Sequence, residues 1–265
     1  MKVLVKVGGT LLDDPASRNS IARQLGEIAR TNELIVVHGG GKQVTRFLEE
    51  RGVTTRFVDG LRVSDTAVID AATKVIAGSV NKQLVSAIIR ASALAIGLSG
   101  VDGLLTRVAP AHPELAFVGH PTETDRGLLD LLLKSGYVPV IACMAADEDG
   151  NIYNVNADQM AVSCAVSWRS DVLIFLTDVE GVKDQAGNVI ASLTTGEIEN
   201  LIESGVAKAG MLAKLKAATN ALRRGLDEIV IASGHEPRIC QRILSGEEIG
   251  TRLSSEPVLA KGLAG

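Results

Sequence analysis

The sequence predicts an α/β fold, a parallel sheet covered by helices, on three observations. Short apolar runs rich in valine and isoleucine alternate with amphipathic helical stretches. Two of these runs, near the N-terminus, end in glycine turns that lead straight into helices. With 46% hydrophobic residues over 265 positions, the chain is also long and apolar enough to bury a full core.

Lys2–Val7 is a valine-rich run that ends at Gly8-Gly9, as a buried strand entering a turn does. Asp14 can cap the helix that Pro15 opens, and Ile21, Leu25 and Ile28 set its apolar face at helical spacing. Leu34-Ile35-Val36-Val37 is a second strand, followed by the turn His38-Gly39-Gly40-Gly41 and a helix over Lys42–Arg51. Strand, turn, helix, repeated once, requires parallel strands with both glycine turns at their carboxyl ends. Val53–Val63 alternates like a hairpin, helical stretches run from Thr66 into Ala91, and Ala93–Leu98 is a strand. Gly100–Asp125 holds three of the seven prolines and reads as loops and short hairpins. A helix at Leu128–Lys134 and a strand at Val138–Ala142 follow. Regular α/β order then resumes: helix Ala157–Trp168, strand Val172–Thr177, helices near Thr195–Glu203 and Gly210–Arg223, strand Glu228–Ala232. Ser254–Gly265 lacks any period and reads as a loose tail. There is no internal repeat and no linker rich in proline, serine or glycine.

Composition excludes several function classes. With 27 basic against 31 acidic residues the net charge is −4, which argues against nucleic-acid and membrane surfaces but leaves room for a small cationic pocket. Aromatic residues make up 3% of the chain, too few for base-stacking RNA modules. Cys143, Cys164 and Cys240 are odd in number, widely spaced and read as buried thiols rather than a disulfide or zinc framework. Lys2 and Lys6 interrupt the N-terminal apolar run, so it is no signal peptide, and no apolar run reaches the ~18 residues of a membrane span. A soluble, cytoplasmic protein is expected.

The chemical signals lie at the strand ends. Unpaired N–H groups at a glycine turn that opens a helix make an anion site, and glycine lets phosphate oxygens approach the backbone. Gly39-Gly40-Gly41-Lys42 matches neither a Walker A loop nor a dinucleotide fingerprint. Lys6, two residues before Gly8, is either a strand-end lysine reaching solvent or a point charge facing the anion. Lys214 lies beside the apolar face of Met211, Leu215, Ala218 and Leu222, where a solvated lysine is equally ordinary. In Asn154-Val155-Asn156-Ala157-Asp158, helix capping accounts for Asn156 but leaves Asn154 and Asp158 with spare hydrogen-bonding capacity. Thr177-Asp178 follows a strand at the same sheet edge, and Arg62 is a fixed bidentate partner for a carboxylate. His112 and His120 lack metal-ligand spacing, and no Ser/His/Asp or Cys/His order supports a hydrolytic nucleophile.

Together these motifs resemble the amino acid kinase family over Lys2 to about Leu253, in particular its branch acting on N-acetyl-L-glutamate. The resemblance rests on Lys6-Val7-Gly8-Gly9, His38 to Gly41, Phe57 to Val63, Gly97-Leu98-Ser99-Gly100, Asn154 to Asp158, Thr177-Asp178-Val179 and Gly210 to Leu215. It implies a three-layer αβα sandwich with a central, mainly parallel sheet. It also implies ATP-dependent phosphorylation of the side-chain carboxylate of N-acetyl-L-glutamate, within arginine biosynthesis. One domain over residues 1–253 is then expected. Its N-terminal lobe (about 1–170) would bind the acyl substrate and dimerise, and its C-terminal lobe (about 171–253) would bind ATP. In the resemblance, Lys6 and Lys214 stabilise charge on the transferring phosphoryl group and Asp158 holds them. Gly8, Gly9, Gly40 and Gly41 offer N–H groups to phosphate. Gly40, Gly41, Arg62 and Asn154 bind the acyl substrate, with Arg62 on its α-carboxylate, and Thr177, Asp178, Gly210 and Met211 line the nucleotide side. Mg²⁺ is expected through the ATP phosphates, with no dedicated protein metal site.

Two departures shape the expectation. The first strand begins at Lys2, without the additional N-terminal helix of arginine-inhibited hexamers, which implies an arginine-insensitive homodimer and no PII-type regulatory partner. Ala209 stands where the family pattern carries glycine. The rival readings are a kinase for aminoadipate or glutamate on a carrier protein, and a non-catalytic nucleotide sensor. An acidic carrier would want a basic docking face, and a sensor would not need the second lysine.

Overall fold

The apolar runs assemble side by side because each, buried on both faces, must be covered by helices. The computed structural model describes residues 1–58, 60–205 and 209–256. Its first part comprises β1 (Lys2–Val7), α1 (Pro15–Ala29), β2 (Glu33–His38), α2 (Gly41–Glu49), β3 (Phe57–Val58), β4 (Leu61–Arg62), α3 (Thr66–Ala72), α4 (Asn81–Arg90) and β5 (Ala95–Ser99). Next come β6 (Thr106–Pro110), β7 (Val118–Thr124), α5 (Arg126–Lys134), β8 (Val138–Ala142), β9 (Met144–Ala146), β10 (Ile152–Val155) and α6 (Ala157–Trp168). The remainder is β11 (Val172–Thr177), β12 (Ser192–Thr194), α7 (Thr195–Glu203), α8 (Ala209–Arg223), β13 (Glu228–Ser233), α9 (Ile239–Leu244) and β14 (Thr251–Ser254).

Eight strands form the main sheet in the order β12-β14-β13-β11-β1-β2-β8-β5. From β13 through β5 every pairing is parallel; β14 joins antiparallel to β13, and β12 runs parallel to β14. Helices α1, α4 and α9 pack together on one side, and α5, α6 and α8 on the other. This is the three-layer αβα sandwich. Central strands are apolar where covered, apart from buried polar side chains such as Lys6 and His38 near their carboxyl ends: Val3, Leu4 and Val5 lie opposite Leu34, Ile35 and Val36 on one flank and Val172, Leu173 and Ile174 on the other, all buried. Asp14 caps α1 by accepting from the Ser17 amide, as the sequence predicts.

Some elements were not predicted. The stretch read as loops and short hairpins, Gly100–Asp125, does contain a hairpin, β6 and β7, but it closes with β9 and β10 into a small four-stranded barrel. Strands β9, β10, β12 and β14 hold three or four residues each and carry no periodic signal of their own. They form because partners distant in sequence complete their hydrogen bonds, as Asn154 opposite Val118 shows. Helix α9, six residues long, was missed for the same brevity. Between α3 and α4 the helical stretch is π-helical over Thr73–Val80. At the C-terminus, Ser254 belongs to β14 rather than to a tail; residues 257–265 lie outside the described residues. No described helix is long and apolar enough to cross a membrane. All three cysteines are buried free thiols.

Candidate active site

The site forms where β1, β2 and β11 end. Gly8 donates to the Leu176 carbonyl at 2.9 Å, so the first glycine turn is stitched to the end of β11. Gly40 caps α2 without any side-chain cap, leaving the first-turn amides of that helix facing outward. The two turns touch. A Cβ on Gly9 would lie 3.2 Å from the Gly40 nitrogen, and one on Gly40 would lie 3.1 Å from Cγ1 of Ile76. None of Gly8, Gly9, Gly40 and Gly41 has positive φ, so close approach rather than left-handed backbone is what glycine supplies at Gly9 and Gly40. Gln43 bridges the turns, its Nε2 donating to the Gly9 carbonyl at 2.8 Å.

Lys6 lies on β1 just ahead of its turn and is 6% exposed. The bland alternative, a lysine reaching solvent, is therefore excluded. Its Nζ stands 2.8 Å from Oδ1 of Asp158, and Nζ of Lys214 stands 3.4 Å from Oδ2 of the same carboxylate. Asp158 occupies the first turn of α6, whose N-cap Asn156 accepts from the amides of Asp158 and Gln159. Capping and placement of the carboxylate are thus one local arrangement. Burial pushes the Asp158 carboxyl up, but the charges of Lys6 and Lys214 outweigh it and the net shift is downward. The positive end of the α6 dipole acts in the same direction. Three charged groups, from β1, α6 and α8, meet at one point, Lys6 and Asp158 buried and Lys214 half-buried.

Arg62 lies on β4 with its guanidinium 4.6 Å from the Phe57 ring centroid. Its Nη2 donates to the Gly41 carbonyl at 2.9 Å and to Oγ1 of Thr45 at 2.7 Å. Nη1 is buried without a partner among the described residues. Burial lowers the Arg62 pKa and nearby Glu49 opposes the shift, but a guanidinium stays charged. Asn154 on β10 donates from Nδ2 to Oγ of Ser64, which donates in turn to the Arg62 carbonyl. Gly40, Gly41, Arg62 and Asn154 all line one pocket of about 160 Å³, completed by aliphatic side chains such as Val44 and Ile76. Cys143 borders it too; burial pushes that thiol up to about 12, so it is no nucleophile at neutral pH.

Thr177, Asp178, Gly210 and Met211 are not among the residues lining that pocket. Thr177 ends β11, with its hydroxyl on Asp178, while Gly210 and Met211 sit in the first turn of α8, one turn ahead of Lys214. A Cβ on Gly210 would meet nothing within 4 Å. Among the described residues no three His, Cys, Asp or Glu side chains converge on a point that would hold a metal. Sequence reasoning overlooked Gln43, Thr45 and Ser64, whose short polar side chains tie the site together only after folding. It gave no role to His38, named only at the head of the second glycine turn, or to Asn81.

A doubly glycine-turned sheet edge carrying two lysines on one carboxylate defines an anion-handling α/β protein. The chain belongs to the amino acid kinase family, whose model matches residues 1–233. It is 54% identical to an acetylglutamate kinase of Solibacter usitatus over 96% of this chain and 99% of that one. It is 40% identical to an acetylglutamate kinase of Acidobacterium capsulatum, over 94% and 99% respectively. Among solved structures, the N-acetylglutamate synthase of Neisseria gonorrhoeae complexed with coenzyme A and N-acetyl-glutamate superposes with a TM-score of 0.86 at 24% identity. That superposition covers 97% of this chain but only 60% of the synthase. A Giardia carbamate kinase matches with a TM-score of 0.71 at 16% identity, over 96% of this chain and 98% of that one. These two likenesses establish the fold.

Proposed function

We propose that this chain transfers the terminal phosphoryl group of ATP to the side-chain carboxylate of N-acetyl-L-glutamate, forming N-acetyl-L-glutamyl 5-phosphate in arginine biosynthesis. The observation that carries the reading is the buried Lys6–Asp158–Lys214 cluster beside the paired glycine turns. The 54% identity to a full-length acetylglutamate kinase supports the choice of acceptor.

The chemistry follows from charge. The acceptor carboxylate is already ionised at neutral pH, so no general base is needed. What opposes reaction is repulsion among acceptor, phosphates and developing charge, which preorganised cations and N–H groups offset. Lys6 and Lys214 supply the cations on the transferring group, and Asp158 holds both at a fixed separation. The amides at Gly9, Gly40 and Gly41 face the phosphate, whereas that of Gly8, expected from the sequence to do the same, is already spent on the Leu176 carbonyl and ties the turn to β11 instead. Arg62 meets the α-carboxylate of the substrate through its unpartnered Nη1, and Asn154 binds the same molecule from across the pocket. Thr177, Asp178, Gly210 and Met211 line the nucleotide side, so residues of about 1–170 take the acyl substrate and those of about 171–253 take ATP. Both Asp158 oxygens are engaged by lysines, so Asp158 would not hold Mg²⁺; carried on the ATP phosphates, the ion would offset their charge beside Lys6 and Lys214.

The proposed assembly is a homodimer in the cytoplasm. The free edge of the sheet supports it: Leu94 and Ile96 beside and on β5, Ile89 at the end of α4 and Leu131 on α5 are exposed apolar residues around that edge. A coupled assay of ADP release tests the function across N-acetylglutamate, glutamate, aspartate and aminoadipate, with and without Mg²⁺. Magnesium-dependent turnover that is selective for N-acetylglutamate is expected. Selective turnover of another acceptor, or none with any, would overturn the reading.

A further inference from the structure

His38 is a titratable side chain at 0% exposure that the proposed chemistry leaves unused. It closes β2 immediately ahead of the second glycine turn. Its Nδ1 is 2.9 Å from the Gly39 carbonyl and its Nε2 is 3.0 Å from Nδ2 of Asn81, also at 0% exposure. Asn81 Nδ2 donates a second time, to the Val140 carbonyl at 2.9 Å. On its other side, Asn81 Oδ1 accepts from Nζ of Lys82, which also donates to the Gly97 carbonyl at 2.9 Å.

These partners fix every proton. A carbonyl only accepts and an ammonium only donates, so the Asn81 amide nitrogen must face Val140 and its oxygen must face Lys82. The nitrogen therefore donates to Nε2 of His38, which must be bare. The imidazole is then neutral with its proton on Nδ1, donated to Gly39. Burial, which lowers the His38 pKa to about 4, agrees with a neutral ring, and nearby Lys82 adds to the lowering while the Gly39 bond opposes it.

The consequence is geometric. The Gly39–Gly40 peptide is trans and planar, so its carbonyl and its N–H point in opposite directions. Holding the carbonyl inward on the imidazole turns the Gly40 N–H away from it, and the Gly40 nitrogen is the atom that a Cβ on Gly9 would crowd at 3.2 Å. Among the described residues that amide has no backbone acceptor. We propose that His38, oriented by Asn81, is a positioning residue that locks the Gly39–Gly40 peptide plane and aims the Gly40 amide at a phosphate held between the two glycine turns. This rests on the phosphoryl-transfer reading above.

Two near-isosteric variants separate positioning from simple packing. His38→Asn places an N–H near the site of Nδ1 and keeps the bond to Gly39. His38→Gln places its amide oxygen near Nε2, where it still accepts from Asn81, and loses the bond to Gly39. With ATP and N-acetylglutamate, kcat of His38→Gln is expected ~10-fold or more below that of His38→Asn, both KM values staying within about threefold. Equal kcat in the two variants, or a higher one for His38→Gln, would overturn the proposal. Should the wild-type protein fail to turn over N-acetylglutamate, the functional reading fails, and glycine-selective NMR then decides the positioning alone. The probe is Mg²⁺ with a non-hydrolysable ATP analogue. Movement of the Gly40 amide signal in the wild type and His38→Asn but not in His38→Gln supports the proposal; the same response in all three, or none in any, overturns it.

Discussion

At the scale of single residues, the site depends on a carboxylate that is buried yet ionised. Asp158 remains charged because two ammonium groups hold it, and each lysine is oriented by the same contact. On the proposed chemistry, replacing Lys214 by alanine removes one donor from the transferring phosphoryl group and is expected to lower kcat at least ~10²-fold. Near-normal turnover in steady-state kinetics would remove Lys214 from the mechanism. Arg62→Ala acts elsewhere: it should raise KM for the acyl substrate far more than for ATP, and a selective ATP defect would reverse the substrate assignment. His38 also sets a dependence of stability on pH. Its folded pKa of about 4 lies below the ordinary 6.5, so between those values the unfolded chain binds the additional proton. The stabilisation of about 3 kcal/mol is complete above pH 6.5 and lost as pH falls through about 4. Urea titrations across that range should show the loss in the wild type and less of it in His38→Asn.

At the scale of elements, the proposed chemistry makes the N-terminus of α6 a place where stability and catalysis are coupled. Asn156 caps the helix through the amide of Asp158 itself, so Asn156→Ala is expected to cost about 1 kcal/mol in denaturant unfolding and to lower kcat as well. Unfolding loss without a change in kcat would separate the cap from the carboxylate. The long elements of this region were legible in the sequence. Lys2–Val7, Ala157–Trp168 and Val172–Thr177 form over the predicted residues because a continuous apolar run or a helical period is a local property. The short strands β9 and β10 were not legible. Each has too few residues to show a period, and β10 becomes a strand only when β7 and β9 satisfy its backbone. Yet it is β10 that carries Asn154 to the pocket.

At the scale of the whole molecule, the eight-stranded sheet leaves β5 with one free edge, surrounded by exposed apolar side chains. Sedimentation velocity should report a dimer for the wild type, and Ile96→Asp, which sets a charge on that edge, should shift it to monomer. A hexamer would contradict the proposed assembly. The sequence by itself determined the α/β order, the two glycine turns and the types of charged residue available, since strand, turn and helix signals act over a few neighbouring positions. Only the tertiary structure decided that Lys6 is buried, that Lys214, 208 positions later, reaches the same carboxylate, and that Arg62 keeps one nitrogen unpartnered beside Asn154. Each depends on elements distant in sequence, a parallel-sheet strand, a covering helix, a small hairpin and the barrel, packing around one sheet edge.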